Sequence, residues 1–342
     1  MMPFNLESII FFRELNHQIT FALKSRYMLK YLVQCSEIGA GTRGSSLGPD
    51  AVMLASLNSS SELFNRYPFE QIPDLNDSLF EPTNTPHALR IKQVYTTWAA
   101  QAESVSRNLK LGNTPVVISG DHASAGGTIA GIKMMYPNKR LGVVWIDAHG
   151  DLHSPYTTPS GNVHGMPLAA SLGFDNFENQ RNTPTEETVD FWERMKFMGG
   201  SSPKILPQDL VFVGVRDTEK EEIYLIENNN ITNYEVAEVD DMGMTKIGNE
   251  ILEDLKECDI LYVSFDVDSM DPDEVSYGTG TPVQDGITPD QVNKLLSILL
   301  ADPRVVCFEM VEVNPLLDKK GNKMAVTALG ILEKAVETLE NR

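Results

Sequence analysis

Positive charge is scarce in this chain. Its 342 residues carry 28 Lys and Arg against 48 Asp and Glu, a formal net charge of −20 with histidine neutral. A surface of that sign repels nucleic acid and anionic membranes and draws cationic small molecules. Cysteine is scarcer still. Cys35, Cys258 and Cys307 stand far apart, with no CxxC and no Cys/His spacing suited to zinc. Such a set excludes a disulfide framework and reads as buried free thiols in a reducing compartment. Nowhere do 18 uncharged apolar residues follow one another, which excludes a membrane-spanning helix. The apolar run near the start, in "MMPFNLESIIFFRELNHQITFALKSRYML", is flanked closely by Glu7, Arg13 and Glu14. It lacks a basic leading region and a small-residue cleavage site, so it reads as an amphipathic helix rather than a secretory signal. These absences favour a cytoplasmic protein.

What is present is an alternation. Short apolar, β-branched runs occur at 30–35, 114–119, 141–146, 209–214, 259–265 and 304–310. They are apolar on both faces and of the length expected for central parallel strands. Helical periodicity falls between them, at 92–111, 124–136, 186–197, 218–228, 246–257, 288–301 and 323–340. Strand-helix alternation of this kind predicts an α/β fold in three layers, with a mainly parallel sheet covered by helices on both sides. It runs without a break, so one domain over 1–342 is expected. The stretch 59–90, rich in Ser, Asn, Asp and Pro, reads as a long surface excursion, and 174–185 as a second one.

In such sheets ligands bind beyond the carboxyl ends of the strands. Here those ends carry the chemistry. "GDHAS" supplies Asp121 and His122, and "WIDAHGDLH" supplies Asp147, His149, Asp151 and His153. "SFDVDSMDP" supplies Asp266, Asp268 and Asp271, and "VEVNP" supplies Glu312. Side chains at i and i+2 of an extended segment point the same way, so Asp147 with His149, and Asp266 with Asp268, each form a pincer. A lone Asp after a strand is usually a cap or turn former, and Asp271 before Pro272 reads as one. His17 and His87 carry no such context. The six residues His122, Asp147, His149, Asp151, Asp266 and Asp268 form a set of carboxylates and imidazoles without thiolate. That set suits Mn²⁺ or Fe²⁺ better than structural zinc. Four carboxylates over-charge one divalent ion and balance two, and a dinuclear site makes hydroxide available near neutral pH.

Taken together, "GDHAS", "WIDAHGD", "SGNVHGMP", "SFDVDSMDP", "GTGTPV" and "EVNP", in this order, resemble the ureohydrolase superfamily. Further likeness lies in "SEIGAGTRGSSLGPDAV" at 36–52. The loop "SGNVHG" resembles that of arginases in particular. The resemblance implies two Mn²⁺ per subunit on His122, Asp147, His149, Asp151, Asp266 and Asp268. It implies hydrolysis of L-arginine to L-ornithine and urea by a metal-bridging hydroxide, with Asp151 shared between metal binding and catalysis. His164 is then the acid or proton shuttle and Glu312 the clamp on the guanidinium. Ser160 and Asn162 would bond the α-carboxylate, Glu219 and Glu222 the α-amino group, and His153 and Thr281 would line the substrate. A homotrimer or homohexamer is implied as well.

The sequence also departs from the arginase pattern. His153 stands where arginases usually carry an asparagine that contacts the α-carboxylate, Glu219 where Asp is common, and Ser119 where the first glycine of the histidine motif is usual. The first two bear on the amino-acid end of the substrate. They leave open a different ureohydrolase, such as an agmatinase, guanidinobutyrase or formimidoylglutamase. A catalytically silent metal-binding relative is the reading from a different class.

Overall fold

The computed structural model describes residues 28–342, so the helix expected near the start, and His17, lie outside the described residues. The strands are β1 (Met28–Gln34), β2 (Phe69–Ile72), β3 (Asn113–Ser119), β4 (Leu141–Ile146), β5 (Leu210–Val213), β6 (Thr232–Tyr234), β7 (Ile260–Asp266) and β8 (Val305–Val311). The helices begin with α1 (Gly48–Asn58), α2 (Leu63–Arg66), α3 (Ile91–Lys110), α4 (Ser124–Met135), α5 (Pro167–Leu172) and α6 (Glu186–Phe197). They continue with α7 (Lys220–Asn229), α8 (Val236–Met242), α9 (Met244–Asp254), α10 (Pro289–Leu299) and α11 (Lys323–Asn341).

All eight strands form one sheet in the order β2-β1-β3-β8-β7-β4-β5-β6, and every pairing is parallel. The period-2 rule sorts the strand residues between two cores. Val116, Ile118, Val144, Ile146, Val263 and Phe265 face α1, α9, α10 and α11. Val117, Val143, Trp145 and Tyr262 face α3, α4, α5 and α7. The result is the expected three-layer α/β/α arrangement. Helix starts follow local rules. Thr288 and Gln291 cap α10 reciprocally, with Pro289 just inside, which satisfies otherwise orphaned amides. On α4, Gly126 lies so close to Trp98 of α3 that a Cβ would stand 2.1 Å from the indole. The small residues of "SAGG" are what allow the two helices to approach.

The expected strands and helices recur within three residues at either end. The segment 59–90, expected as a long surface excursion, has secondary structure of its own. It contains α2 and the edge strand β2, which pairs with β1. It also supports the loops around the cleft described below. Asn76 donates to the Cys35 carbonyl at 2.7 Å and accepts from the Glu37 amide at 3.0 Å. Leu89 N–H donates to the Gly161 carbonyl at 2.7 Å. Cys258 and Cys307 are buried free thiols as expected, whereas Cys35 is only half-buried. Among the described residues no helix is long and apolar enough to cross a membrane.

Candidate metal centre and substrate cleft

The four strand ends that carry acids and histidines belong to β3, β8, β7 and β4, which are consecutive neighbours in the middle of the sheet. Their carboxyl ends therefore share one rim, and a cleft of about 130 Å³ opens on it. His122 follows β3 and is buried. Its Nδ1 lies 2.9 Å from Asp147 Oδ2, 3.1 Å from Asp266 Oδ2 and 3.4 Å from Asp151 Oδ2. On the other side, His149 Nδ1 lies 3.0 Å from Asp268 Oδ2 and 3.4 Å from Asp147 Oδ1. Two groups of possible ligands result, His122–Asp147–Asp151 and Asp147–His149–Asp268. They share Asp147, which turns one oxygen to each.

These residues fit metal ions on a further ground. His122 Nδ1 and Asp147 Oδ2 are fully buried and at hydrogen-bond distance, yet neither makes a hydrogen bond of acceptable geometry. Buried polar atoms without partners are costly, and a cation between these two would satisfy both. The rest of each side chain is fixed from behind. Asp147 Oδ1 accepts from His149 N–H at 2.7 Å, Asp266 Oδ1 from Asp268 N–H at 2.8 Å, and Asp268 Oδ1 from Ala148 N–H at 3.2 Å. Asp151 adopts a left-handed backbone with φ 49°, and Glu312 does so with φ 68°. Non-glycine residues rarely occupy that region, and such strain collects at functional sites. The Asp151 carbonyl meets the Leu168 and Ala169 amides at the start of α5, and Glu312 N–H meets the Gly120 carbonyl.

Electrostatics point the same way. Burial, then Asp147, pushes the Asp151 carboxyl well above the usual carboxylate range, and burial, Asp268 and Asp147 do the same to Asp266. Asp268 is raised as well, chiefly by burial. Asp147 is held low: burial opposes this, but the neighbouring His122 and His149 imidazoles outweigh it. Burial alone would depress the imidazoles; the aspartates around them hold His122 and His149 well above the ordinary histidine value. The cluster is short of positive charge, which a divalent cation would supply.

The sequence reading missed the support behind His122. Its ring stacks on Trp145 with centroids 4.0 Å apart and planes nearly parallel, and its Nε2 lies 2.8 Å from Ser264 Oγ. Ser264 contacts Tyr262 Oη, and Tyr262 Oη donates to Glu309 Oε2 at 2.6 Å. Ser124 and Ser119 donate to Glu309 Oε1 at 2.6 and 3.1 Å. Glu309 is entirely buried and accepts throughout. Only one direction satisfies the series: His122 Nε2–H to Ser264, Ser264 to Tyr262, Tyr262 to Glu309. In the neutral imidazole that order leaves Nδ1 without a proton toward the carboxylates, the tautomer a metal ligand needs. A sequence signal existed: Tyr262, Ser264 and Asp266 alternate on one face of β7, and Glu309 stands in register beside Ser264.

The remaining expected residues also line the cleft, with some rearranged pairings. His164 and Glu312, expected as proton shuttle and guanidinium clamp, stand side by side: His164 Nδ1 lies 3.1 Å from Glu312 Oε1. The same oxygen accepts from His122 N–H at 2.9 Å. Burial depresses the His164 imidazole, and Glu312 more than offsets this, so its proton is held more tightly than usual. Thr281 donates its hydroxyl to Asp268 Oδ2 at 3.1 Å. Asp121 stands outside the ligand groups and receives the Gly39 and Ala123 amides; burial, then Glu312, pushes it up to about 7. Asp271 forms a turn with the Asp273 and Glu274 amides, as expected.

At the outer end, Ser160 and Asn162 sit on a loop turned by Gly161. Its φ is +79°, and a Cβ there would stand 2.0 Å from the Pro86 carbonyl. Opposite lie Glu219 and Glu222 at the start of α7. Glu222 Oε2 accepts from Glu219 N–H at 3.1 Å and Oε1 from Leu152 N–H at 3.0 Å. His153 faces them: its Nε2 is 3.0 Å from Glu219 Oε2, and its Nδ1 is 3.1 Å from Thr157 Oγ1. This bond from His153 pulls Glu219 down to about 2, whereas burial pushes Glu222 up to about 7. His153, Glu219 and Glu222 are close enough to form a third possible ligand group. Both ring nitrogens are already engaged by protein groups, which sets this trio apart from the inner two.

A family model described as the Arginase family matches residues 31–337. The chain is 35% identical over 300 residues to an arginase from Bacillus caldovelox, covering 86% of this chain and 93% of that protein. It is 34% identical over 297 residues to an arginase from Bacillus subtilis, covering 87% and 93%. The native structure of the B. caldovelox arginase superposes with a TM-score of 0.77 over 90% of this chain and 97% of the other. A formimidoylglutamase structure from B. subtilis shares the fold, with a TM-score of 0.69 at 17% identity over 92% and 87%.

Proposed function

The chain belongs to the arginase family and is a ureohydrolase; from that premise we propose that it cleaves the guanidinium of L-arginine to L-ornithine and urea on two Mn²⁺ ions. The observation that carries the reading is the shared Asp147 carboxylate between two histidine-containing ligand groups, at the floor of a cleft whose outer end is lined by Ser160, Asn162, Glu219 and Glu222. His122, Asp147, Asp151 and Asp266 would hold one ion, and Asp147, His149 and Asp268 the other. When bound, the cations supply a deprotonated water near neutral pH and offset the carboxylate charge.

The chain's own residues do the rest. Guanidinium is resonance-stabilised and a poor electrophile, so its plane must be held. Glu312 is suited to accept its N–H groups, since a charge-assisted bond fixes orientation. Collapse of the tetrahedral species requires a proton on the leaving amine. His164 is placed to deliver it, because it stands beside Glu312 and therefore beside the bound guanidinium. At the other end, Ser160 and Asn162 offer neutral donors to a carboxylate, while Glu219 and Glu222 offer acceptors to an ammonium. A site that hydrogen-bonds both groups rejects analogues lacking one of them, because its own polar atoms are left unpaired.

The test is urea release from L-arginine, agmatine and 4-guanidinobutyrate, with formamide release from N-formimino-L-glutamate, after Mn²⁺ loading and beside a chelated control. Turnover of L-arginine that chelation abolishes is the expected result. Preference for any of the other substrates overturns the arginine assignment.

A further inference from the structure

The outer end of the cleft contains a histidine that no longer has a ring nitrogen to offer. His153 is buried, with a side-chain exposure of 8%, while Glu219 is half exposed at 50%. Glu219 is the N-cap of α7 and shares a reciprocal capping box with Glu222, but half of its side chain still faces solvent, and ordering that part has an entropic cost. Here its Oε2 is tied to the His153 Nε2 at 3.0 Å, and the imidazole is itself tied through Nδ1 to Thr157 Oγ1 at 3.1 Å. Thr157 in turn accepts the Ser154 amide at 3.0 Å. The series runs from a rigid turn to the cleft mouth and ends on one carboxylate. It needs only an imidazole N–H, so it does not depend on the charge of the ring.

Resting on the arginine reading, we propose that His153 is a positioning residue: it does not touch the substrate but pins Glu219 over the cleft mouth as an acceptor for the substrate's α-ammonium. Both ring nitrogens of His153, expected among the residues that line the substrate, are engaged by Thr157 and Glu219. Glu222 alone is a poorer acceptor, since it is buried and each of its oxygens already takes a backbone amide, whereas Glu219 is half exposed. The pinned Glu219 oxygens are then what separates guanidino acids with an α-ammonium from those without.

The experiment compares L-arginine with its 2-hydroxy analogue, in which a hydroxyl replaces the ammonium, in Mn²⁺-loaded wild type, His153→Ala, Glu219→Gln and the double variant. The quantity read is the ratio of kcat/KM for the two substrates, whatever each variant does to turnover as a whole. His153→Ala is expected to lower that ratio about tenfold through the KM for L-arginine, the size of one lost ordered polar contact. Glu219→Gln is expected to lower it by a similar factor, and the double variant no further, because both act through one carboxylate. Thr157→Val, which keeps the imidazole and removes its anchor, is expected to fall between. An unchanged or increased ratio in His153→Ala, with wild type active on L-arginine, overturns the inference and leaves the arginine reading standing. So does full additivity in the double variant. Wild type inactive on both substrates overturns the arginine reading itself, and the inference with it.

Discussion

The inner and outer ends of the cleft are built on opposite plans. At the inner end the candidate ligands follow the central strands β3, β4 and β7, all but His149 are buried, and His122, Asp147, Asp266 and Asp268 are held from behind by a backbone amide, a neighbouring serine or a stacked indole. At the outer end the side chains ride on a loop and a helix start: Glu219 is half exposed and Ser160 lies in the open. The first plan fixes geometry at high cost in desolvation and strain, as chemistry on an inert group requires. The second leaves the proposed recognition surface adjustable, so that substrate preference could change without disturbing the proposed metal centre.

The hardest way to break this comparison is at the residue both ligand groups share. Asp147→Asn is expected to lose both ions together and to lower turnover by at least about 10³-fold. Metal content by mass spectrometry checks it, and retention of one ion per chain would show two separable sites. Behind the ligands, Glu309→Gln or Tyr262→Phe is expected to weaken metal binding by about 10- to 100-fold. Metal titration measures this with no substrate present, and an unchanged affinity would reduce the buried series to a packing feature.

The pH dependence sharpens the contrast further. Asp151 and Asp266 are raised in the fold by burial and by neighbouring aspartates. His122 and His149 are raised by the aspartates against the pull of burial. Groups raised in the folded state contribute stability that is complete below their unfolded values, about 4 for Asp and 6.5 for His, and lost as pH rises through the folded values. The metal-free fold therefore loses stability from this cluster as pH rises. Cations compete with the same protons, so the gain in Tm on adding Mn²⁺ is expected to grow from about pH 5.5 to 8.5. Thermal melts with and without chelator read it, and a gain that shrinks with pH would refute the charge argument. The smallest effect belongs to the outer end. Ser160→Ala is expected to raise the KM for L-arginine by about tenfold or less with kcat largely kept, and a collapse of kcat instead would place this loop among the parts that act on the chemistry.

Much of this was legible from the chain. The apolar strand runs, the helices between them and the acids and histidines after β3, β4, β7 and β8 are local patterns, and local patterns report strand ends faithfully. The six ligand candidates share one cleft because each pincer is set by the i, i+2 alternation within its own strand end. Three things were not legible. The edge strand β2 is polar and short, so its pairing with β1 depends on the sheet that receives it. Glu309 reads in sequence as one more strand residue, and only its register beside Ser264 and its place opposite Tyr262 give it a role. His153 reads as a group facing substrate, and only the position of α7 across the cleft shows that Glu219 has taken its nitrogen.

By itself, then, the sequence determined which residues stand at which strand ends and what chemistry that set can hold. Periodicity, turn residues and charge are properties of neighbours along the chain. Only the tertiary structure decided that β3, β8, β7 and β4 lie side by side, that Asp147 turns one oxygen to each histidine, and that His164 leans on Glu312. Those facts follow from the order in which crossovers return strands to the sheet, and that order is set by how the whole of both apolar faces can be covered at once.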